Sequence, residues 1–187
     1  MRHVISALVT NEPGVLANVA GMFAARGFNI DSLVVGRTEN PELSRMTIVV
    51  GGDENTLDQV RKQLAKLVPV VDVRDFKSTA YIERDLALIG VSVGPEKRGE
   101  VIEVVNLFRG KVVDVSDQSV MIELAGTEAK LEAFVELMKP YGITELARTG
   151  VIAMARGMQI HRSVTGETGK RRTRSLDAPA TAALPPT

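Results

Sequence analysis

The sequence predicts an α+β protein: two ferredoxin-like βαββαβ units in tandem, followed by a flexible C-terminal tail. Three observations lead there. Apolar residues switch between a two-residue and a roughly 3.6-residue period, in the order strand, helix, strand, strand, helix, strand. That order occurs twice, over residues 1–76 and 85–158, with a polar connector at 77–84. After residue 158 the apolar periodicity stops, and Thr, Ser, Gly, Ala and Pro take over.

In the first unit, Val4–Thr10 alternates and reads as a strand. Asn11-Glu12-Pro13-Gly14 is a turn into a helix, with Pro13 suited to the first helical position. Val15, Val19, Met22 and Phe23 form the apolar stripe of that helix, and Gly27 ends it. Asn29–Arg37 and Ser44–Val50 are strands rich in β-branched residues. Gly51-Gly52-Asp53 opens a second helix with Leu57, Val60, Leu64 and Leu67 inward; Pro69 closes it before the strand Val70–Val73.

The second unit repeats the plan. Leu86–Val93 is a strand, and Gly99–Arg109 is a helix with Val101, Val104, Val105 and Phe108 inward and Gly110 as its stop. Val112–Val115 and Val120–Ala125 form a hairpin around Asp117-Gln118. Thr127 caps a helix carrying Leu131, Phe134, Val135 and Met138, which Pro140 ends. Ile143–Arg148 is the last strand of the repeat, and Val151–Met154 adds a short extra one.

Each unit is small enough to bury only about 60% of its unfolded-chain surface. In the usual strand order the second strand is an edge, and Asn29-Ile30-Asp31-Ser32-Leu33-Val34-Val35 is apolar enough to aggregate if left bare. Pairing with another copy would cover it, so a dimer at least is expected.

Composition excludes several chemistries. The 187 residues carry 23 basic and 23 acidic side chains, so no global field draws in nucleic acid or an anionic membrane. Residues 1–155 have net charge −4 and residues 156–187 net +4, from 17 basic against 21 acidic and 6 against 2. The segment Ser163–Thr187 reads as a solvated tail whose basic cluster, Lys170 to Arg174, is the part that would meet an acidic partner. Cysteine is absent and histidine occurs twice, which rules out thiolate chemistry and multi-histidine metal centres. No apolar run approaches the ~20 residues of a membrane helix, and the amino terminus lacks a signal-peptide block, so a cytoplasmic protein is expected.

Neither histidine belongs to a nucleophilic motif. Pro95-Glu96-Lys97-Arg98 between Gly94 and Gly99 lacks the ending of a phosphate loop. Gly52-Asp53-Glu54-Asn55 superficially matches a thiamine-diphosphate fingerprint but sits at a helix start, where capping explains it. RNA-binding domains of this topology stack bases on aromatics of their central strands, and neither Ser44–Val50 nor Ser119–Ala125 holds one.

The loop Asn11-Glu12-Pro13-Gly14-Val15-Leu16 is the remaining candidate. Free amides at a helix start can hold a carboxylate, Gly14 lets a ligand approach, and Asn11 offers a donor and an acceptor for a zwitterion. The competing reading makes Asn11 a turn residue and Gly14 a helix-start glycine. Spacing alone weighs the two equally.

Thr10-Asn11-Glu12-Pro13-Gly14-Val15-Leu16, Arg26-Gly27-Phe28-Asn29-Ile30-Asp31-Ser32-Leu33 and Leu43–Ile48 together resemble the ACT domain of the acetolactate (acetohydroxyacid) synthase small-subunit family. Gln63–Val68, Glu83–Leu88, Phe108–Val115 and Ala147–Val151 extend the resemblance to about residue 158. It implies a non-catalytic regulatory subunit in valine, leucine and isoleucine biosynthesis, with an ACT domain at 1–76, a linker at 77–84, a second ferredoxin-like domain at 85–158 and a basic tail at 159–187. Such a subunit activates a separate catalytic subunit and confers feedback inhibition by valine or another branched-chain amino acid. The resemblance places the effector between two ACT domains of a homodimer or larger assembly. Asn11, Gly14, Val15 and Leu16 would come from one chain, and Asn29 and Ile30, on the second strand, from the facing chain. No cofactor is expected in this chain; thiamine diphosphate, FAD and magnesium would belong to the catalytic partner. Neither nucleic acid nor a membrane is an expected partner. The alternative is a free-standing ACT-type amino-acid sensor regulating another enzyme.

Overall fold

The computed structural model describes residues 1–157, so the tail expected at 159–187 lies outside the described residues. The first unit runs β1 (Arg2–Thr10), α1 (Val15–Ala24), β2 (Ser32–Arg37), β3 (Leu43–Gly51), α2 (Glu54–Leu64) and β4 (Val70–Asp75). Its sheet order is β2-β3-β1-β4, antiparallel throughout, with β2 at an edge. The second unit runs β5 (Tyr81–Ser92), α3 (Pro95–Leu107), β6 (Lys111–Val115), β7 (Ser119–Gly126), α4 (Glu128–Met138) and β8 (Ile143–Arg148), in the sheet order β6-β7-β5-β8. A final short strand, β9 (Ile152–Ala155), pairs with the start of β5.

The apolar stripes drive this arrangement. Val15, Val19, Met22 and Phe23 of α1 pack with Leu57, Val60 and Leu64 of α2 onto Ile5, Ala7 and Val9 of β1. In the second unit Leu131, Phe134 and Met138 of α4 join Val101 and Val105 of α3 over Ala87, Ile89 and Val91 of β5. Each fully buried Val, Leu, Ile or Phe contributes roughly 1.5–3 kcal/mol relative to exposure. Asp53 caps α2 by accepting from Thr56 N–H, and Thr127 caps α4 by accepting from Lys130 N–H.

A third cluster joins the units. Val4 and Val49, on the sheet face away from α1 and α2, are buried under Phe76, Val151 and Ala153. Phe76 and Tyr81 stack with ring centroids 4.8 Å apart. Arg2 of β1 pairs with Glu83 of β5 at 3.0 Å and with Glu128 of α4 at 2.5 Å. Strand β9 is therefore both the last strand of the second unit and a cover for the first sheet.

Five local expectations need correction. Helix α1 begins at Val15, with Gly14 as its N-cap, so Pro13 precedes the cap instead of opening the helix. Strand β2 begins at Ser32 rather than Asn29, because the chain is still leaving α1: Phe28 N–H bonds to Phe23 O, and Asn29 Nδ2 donates to Asp31 Oδ1 at 2.7 Å. Helix α3 starts at Pro95, not Gly99, because the extended Gly94 lets Pro95 serve as the first helical residue. Its left-handed terminal residue is Arg109, at φ 53, rather than Gly110. Finally, β5 reaches back to Tyr81, so half of the stretch read as a connector is strand, held by Arg84↔Ile152 and Ile82↔Met154 pairing.

Candidate functional site

Helix α1 begins beside the end of β1, and its start differs from those of its neighbours. Gly14 adopts φ 86, and no side chain caps the helix. Val15 N–H reaches only Glu12 O, at 3.5 Å. No acidic residue occupies the first turn of α1, whereas Glu54 and Glu128 lie in the first turns of α2 and α4. The positive end of α1 is thus left uncompensated by its own chain. A Cβ built on Gly14 would meet nothing within 4 Å, so the space over this residue is open. Val15 is buried in the core, while Leu16 is 47% exposed beside the loop.

Asn11 is held more firmly than spacing alone suggests. Its backbone N–H donates to Glu42 O at 2.7 Å and its Nδ2 to Pro41 O at 3.0 Å. Ser44 Oγ donates to its Oδ1 at 3.1 Å. The side chain clamps the loop to the β2–β3 connection and retains one N–H and one lone pair for other partners. Ser44 and Pro41 were not among the residues singled out from sequence, since nothing local ties them to Asn11. One residue earlier, the buried Thr10 hydroxyl has no hydrogen-bond partner among the described residues.

The other candidate residues lie elsewhere. Asn29 is exposed and bonded to Asp31, and Ile30 packs partly into the core of the first unit. Both precede β2, whose first residue, Ser32, stands opposite Val49; Thr10 stands opposite Leu43. Six residue steps along β3 separate those positions, about 20 Å at strand rise. Within one chain, Asn11, Gly14, Val15 and Leu16 form one group, and Asn29 and Ile30 lie at the other end of the sheet.

The second unit holds a buried ion pair that the sequence did not announce. Asp85, 2% exposed, accepts from Arg148 Nε at 2.8 Å and Nη2 at 2.5 Å, and Thr149 Oγ1 donates to its other oxygen at 3.3 Å. Arg148 also reaches Glu132 on α4 at 2.5 Å. Among the described residues no group of three or more His, Cys, Asp or Glu could hold a metal ion, and no helix is long and apolar enough to cross a membrane.

Comparison with known proteins supplies the family. Residues 5–72 match the model of the AHAS small subunit-like ACT domain, and residues 84–157 match that of the small subunit of acetolactate synthase. A chain of Archaeoglobus fulgidus named "Probable acetolactate synthase small subunit" is 55% identical over 157 residues, covering 84% of this chain and 98% of that one. The acetolactate synthase small subunit of Mycolicibacterium smegmatis is 50% identical over 155 residues, covering 83% and 92%. The crystal structure of the acetolactate synthase small subunit from Thermotoga maritima superposes with a TM-score of 0.77 at 44% identity, over 84% of this chain and 98% of that one. On this evidence the chain belongs to the acetolactate synthase small-subunit family, with its ACT domain in the first βαββαβ unit.

Proposed function

We propose that this chain is the non-catalytic regulatory subunit of an acetolactate synthase, activating a separate catalytic subunit and transmitting feedback inhibition by valine. The supporting observation is the split of the candidate residues between opposite ends of edge strand β2. If two copies pair antiparallel through β2, the start of one β2 lies beside the end of the other. Asn29 and Ile30 of one chain then approach Asn11, Gly14 and Leu16 of its partner, enclosing a site that neither chain has alone. The uncapped start of α1 would receive the effector carboxylate, while Leu16 and Ile30 would shelter the branched side chain, at about 0.8 kcal/mol per buried CH₂. Residues 1–76 thereby serve effector binding and dimerisation.

A ligand bridging two chains fixes their relative geometry, and the catalytic subunit responds to the extent that it distinguishes the two arrangements. Thiamine diphosphate, FAD and magnesium belong to the catalytic subunit in this reading, and the holoenzyme works in the cytoplasm.

Gly14→Asp tests the site. Its left-handed φ of 86 makes a side chain costly by roughly 1–2 kcal/mol, a strain that Asp bears better than most residues, so the fold survives. The new carboxylate takes the positive helix end for itself. Saturating valine, at about 100 times its dissociation constant, should stabilise the wild type by ~2.7 kcal/mol, and Gly14→Asp should abolish that gain. The same variant should still activate a reconstituted synthase but leave it insensitive to valine. Retention of both responses would move the effector away from this loop.

A further inference from the structure

Half of the proposed effector site stands at the entry to an edge strand. Among the described residues β2 pairs with one strand, β3, and its entry is fastened there by Asp31 N–H to Val49 O at 2.9 Å. Asn29 and Ile30 come before that bond, and the Asn29 side chain leans on Asp31. The end of an edge strand is where a sheet frays first. Here a second fastening comes from the other unit. Leu33 packs into the core of the first unit, so Ser32 and Val34 face the opposite side of the sheet. On that side Ser32 Oγ accepts from Val151 N–H at 3.2 Å, and Gly150 leaves no room for a Cβ against Ser32 and Val34.

The turn that makes this contact is itself braced. Thr149 N–H donates to Leu86 O at 2.9 Å. The Thr149 hydroxyl accepts from Leu86 N–H at 3.1 Å and donates to Asp85 Oδ1 at 3.3 Å. Asp85, 2% exposed, is held in turn by Arg148, which also reaches Glu132 of α4. A buried ion pair is weak evidence for stability as such. In this place it ties the Thr149–Val151 turn to both β5 and α4, and so gives β2 a rigid post to rest on.

We propose that the Thr149–Val151 turn positions the β2 half of the effector site, with Ser32 as the positioning residue that receives it. The proposal rests on the effector reading given above. Asn29 and Ile30 have to meet the start of the partner chain's α1 in one arrangement, and a segment already ordered in that arrangement binds more tightly. Without an oxygen at position 32, the N–H of the buried Val151 has to find water, which moves the turn off β2. The entry to β2 then spends less time in the binding arrangement, and the apparent affinity falls by that fraction. The second unit thereby takes part in effector binding without touching the effector.

The experiment is isothermal titration calorimetry of valine into the full chain, joined to hydrogen exchange, with Ser32→Ala and Phe76→Leu. Phe76 packs in the same joint between the units but follows β4, at the far edge of the sheet from β2. Its variant therefore loosens docking without touching Ser32. Ser32→Ala should raise the dissociation constant of valine roughly fivefold or more and speed exchange of the Asp31 amide. Phe76→Leu should lower the melting temperature while leaving both unchanged, which separates positioning from a general structural defect. An unchanged dissociation constant in Ser32→Ala, beside normal binding by the wild type, overturns this inference and leaves the effector reading standing. An equal rise in Phe76→Leu overturns it too, since docking as a whole would then be the cause, and so does an Asp31 amide that exchanges no faster in Ser32→Ala. A wild-type chain that does not take up valine overturns the effector reading and this inference together.

Discussion

Gly150 lies flush against Ser32. Val151 N–H donates to Ser32 Oγ at 3.2 Å, and a Cβ on Gly150 would sit 2.7 Å from that oxygen and 2.8 Å from Val34 Cγ2. The chain leaving β8 thus rests directly on β2, the edge strand of the first unit, before turning into β9. Residues 118 positions apart in sequence fix where the second unit docks.

Gly150→Ala should therefore be more damaging than an ordinary glycine replacement. At φ 84 any Cβ is strained, and here it also meets Ser32 and Val34. Gly157, at φ 70, has nothing within 4 Å and isolates the backbone effect. We expect Gly150→Ala to cost about 1–3 kcal/mol more than Gly157→Ala in urea denaturation, the usual range for overpacking. Equal losses would show that the contact yields easily.

Ala153→Asp places a carboxylate among Val4, Val49 and Phe76, where Ala153 is 3% exposed. A charge there has no partner, and undocking β9 is its cheapest escape. Hydrogen exchange should accelerate in Ile152–Ala155 and Tyr81–Arg84, while amides of β1 and β3 that bond to each other remain slow. Global unfolding instead would mean that the first unit depends on this cover.

Removing either member of the Asp85–Arg148 pair should have unequal effects. The Asp85 side chain is 1% exposed, whereas that of Arg148 is 27% exposed and keeps Glu132 as a partner. Arg148→Ala strands a buried carboxylate and should cost about 3–5 kcal/mol. Asp85→Ala leaves a guanidinium that can still reach water and Glu132, so its loss should be smaller. Thermal melts of the two variants give the order directly.

Acid should weaken α2 in a predictable direction. The Asp53 carboxyl is held below its ordinary value of 3.8 by hydrogen bonds from Thr56 N–H and the Thr56 hydroxyl. Glu54 and Asp58 are lowered in the same sense by Lys77, and by Lys62 with Arg61. A carboxyl whose folded pKa is depressed adds stability that is complete above its unfolded pKa and is lost as pH falls through the folded value. Asp53→Asn keeps a capping oxygen but removes that titration. Its melting temperature should fall less steeply than the wild type's as pH drops below the ordinary carboxylate range; identical acid limbs would remove Asp53 from the account.

The sequence by itself determined what local periodicity can encode. The stripes Val15, Val19, Met22, Phe23 and Leu131, Phe134, Met138 were legible because a helix repeats every few residues, and they are the residues found buried. The doubled βαββαβ order and the family followed from the same local patterns and motifs. Tertiary structure decided everything that depends on distant partners. Asn11 looked equally suited to a ligand or a turn until Pro41 and Ser44, some 30 residues away, were seen to hold it. Asn29 read as strand because its neighbours are β-branched, yet sheet bonding begins only at Asp31, whose N–H reaches Val49 O. Tyr81–Arg84 looked like a connector because Glu83 and Arg84 are charged, and it is strand because β9 supplies the missing ladder bonds about 70 residues later. Register, docking and the split of the candidate site across the sheet come from hydrogen bonds and burial between remote segments, and no short window of sequence carries that information.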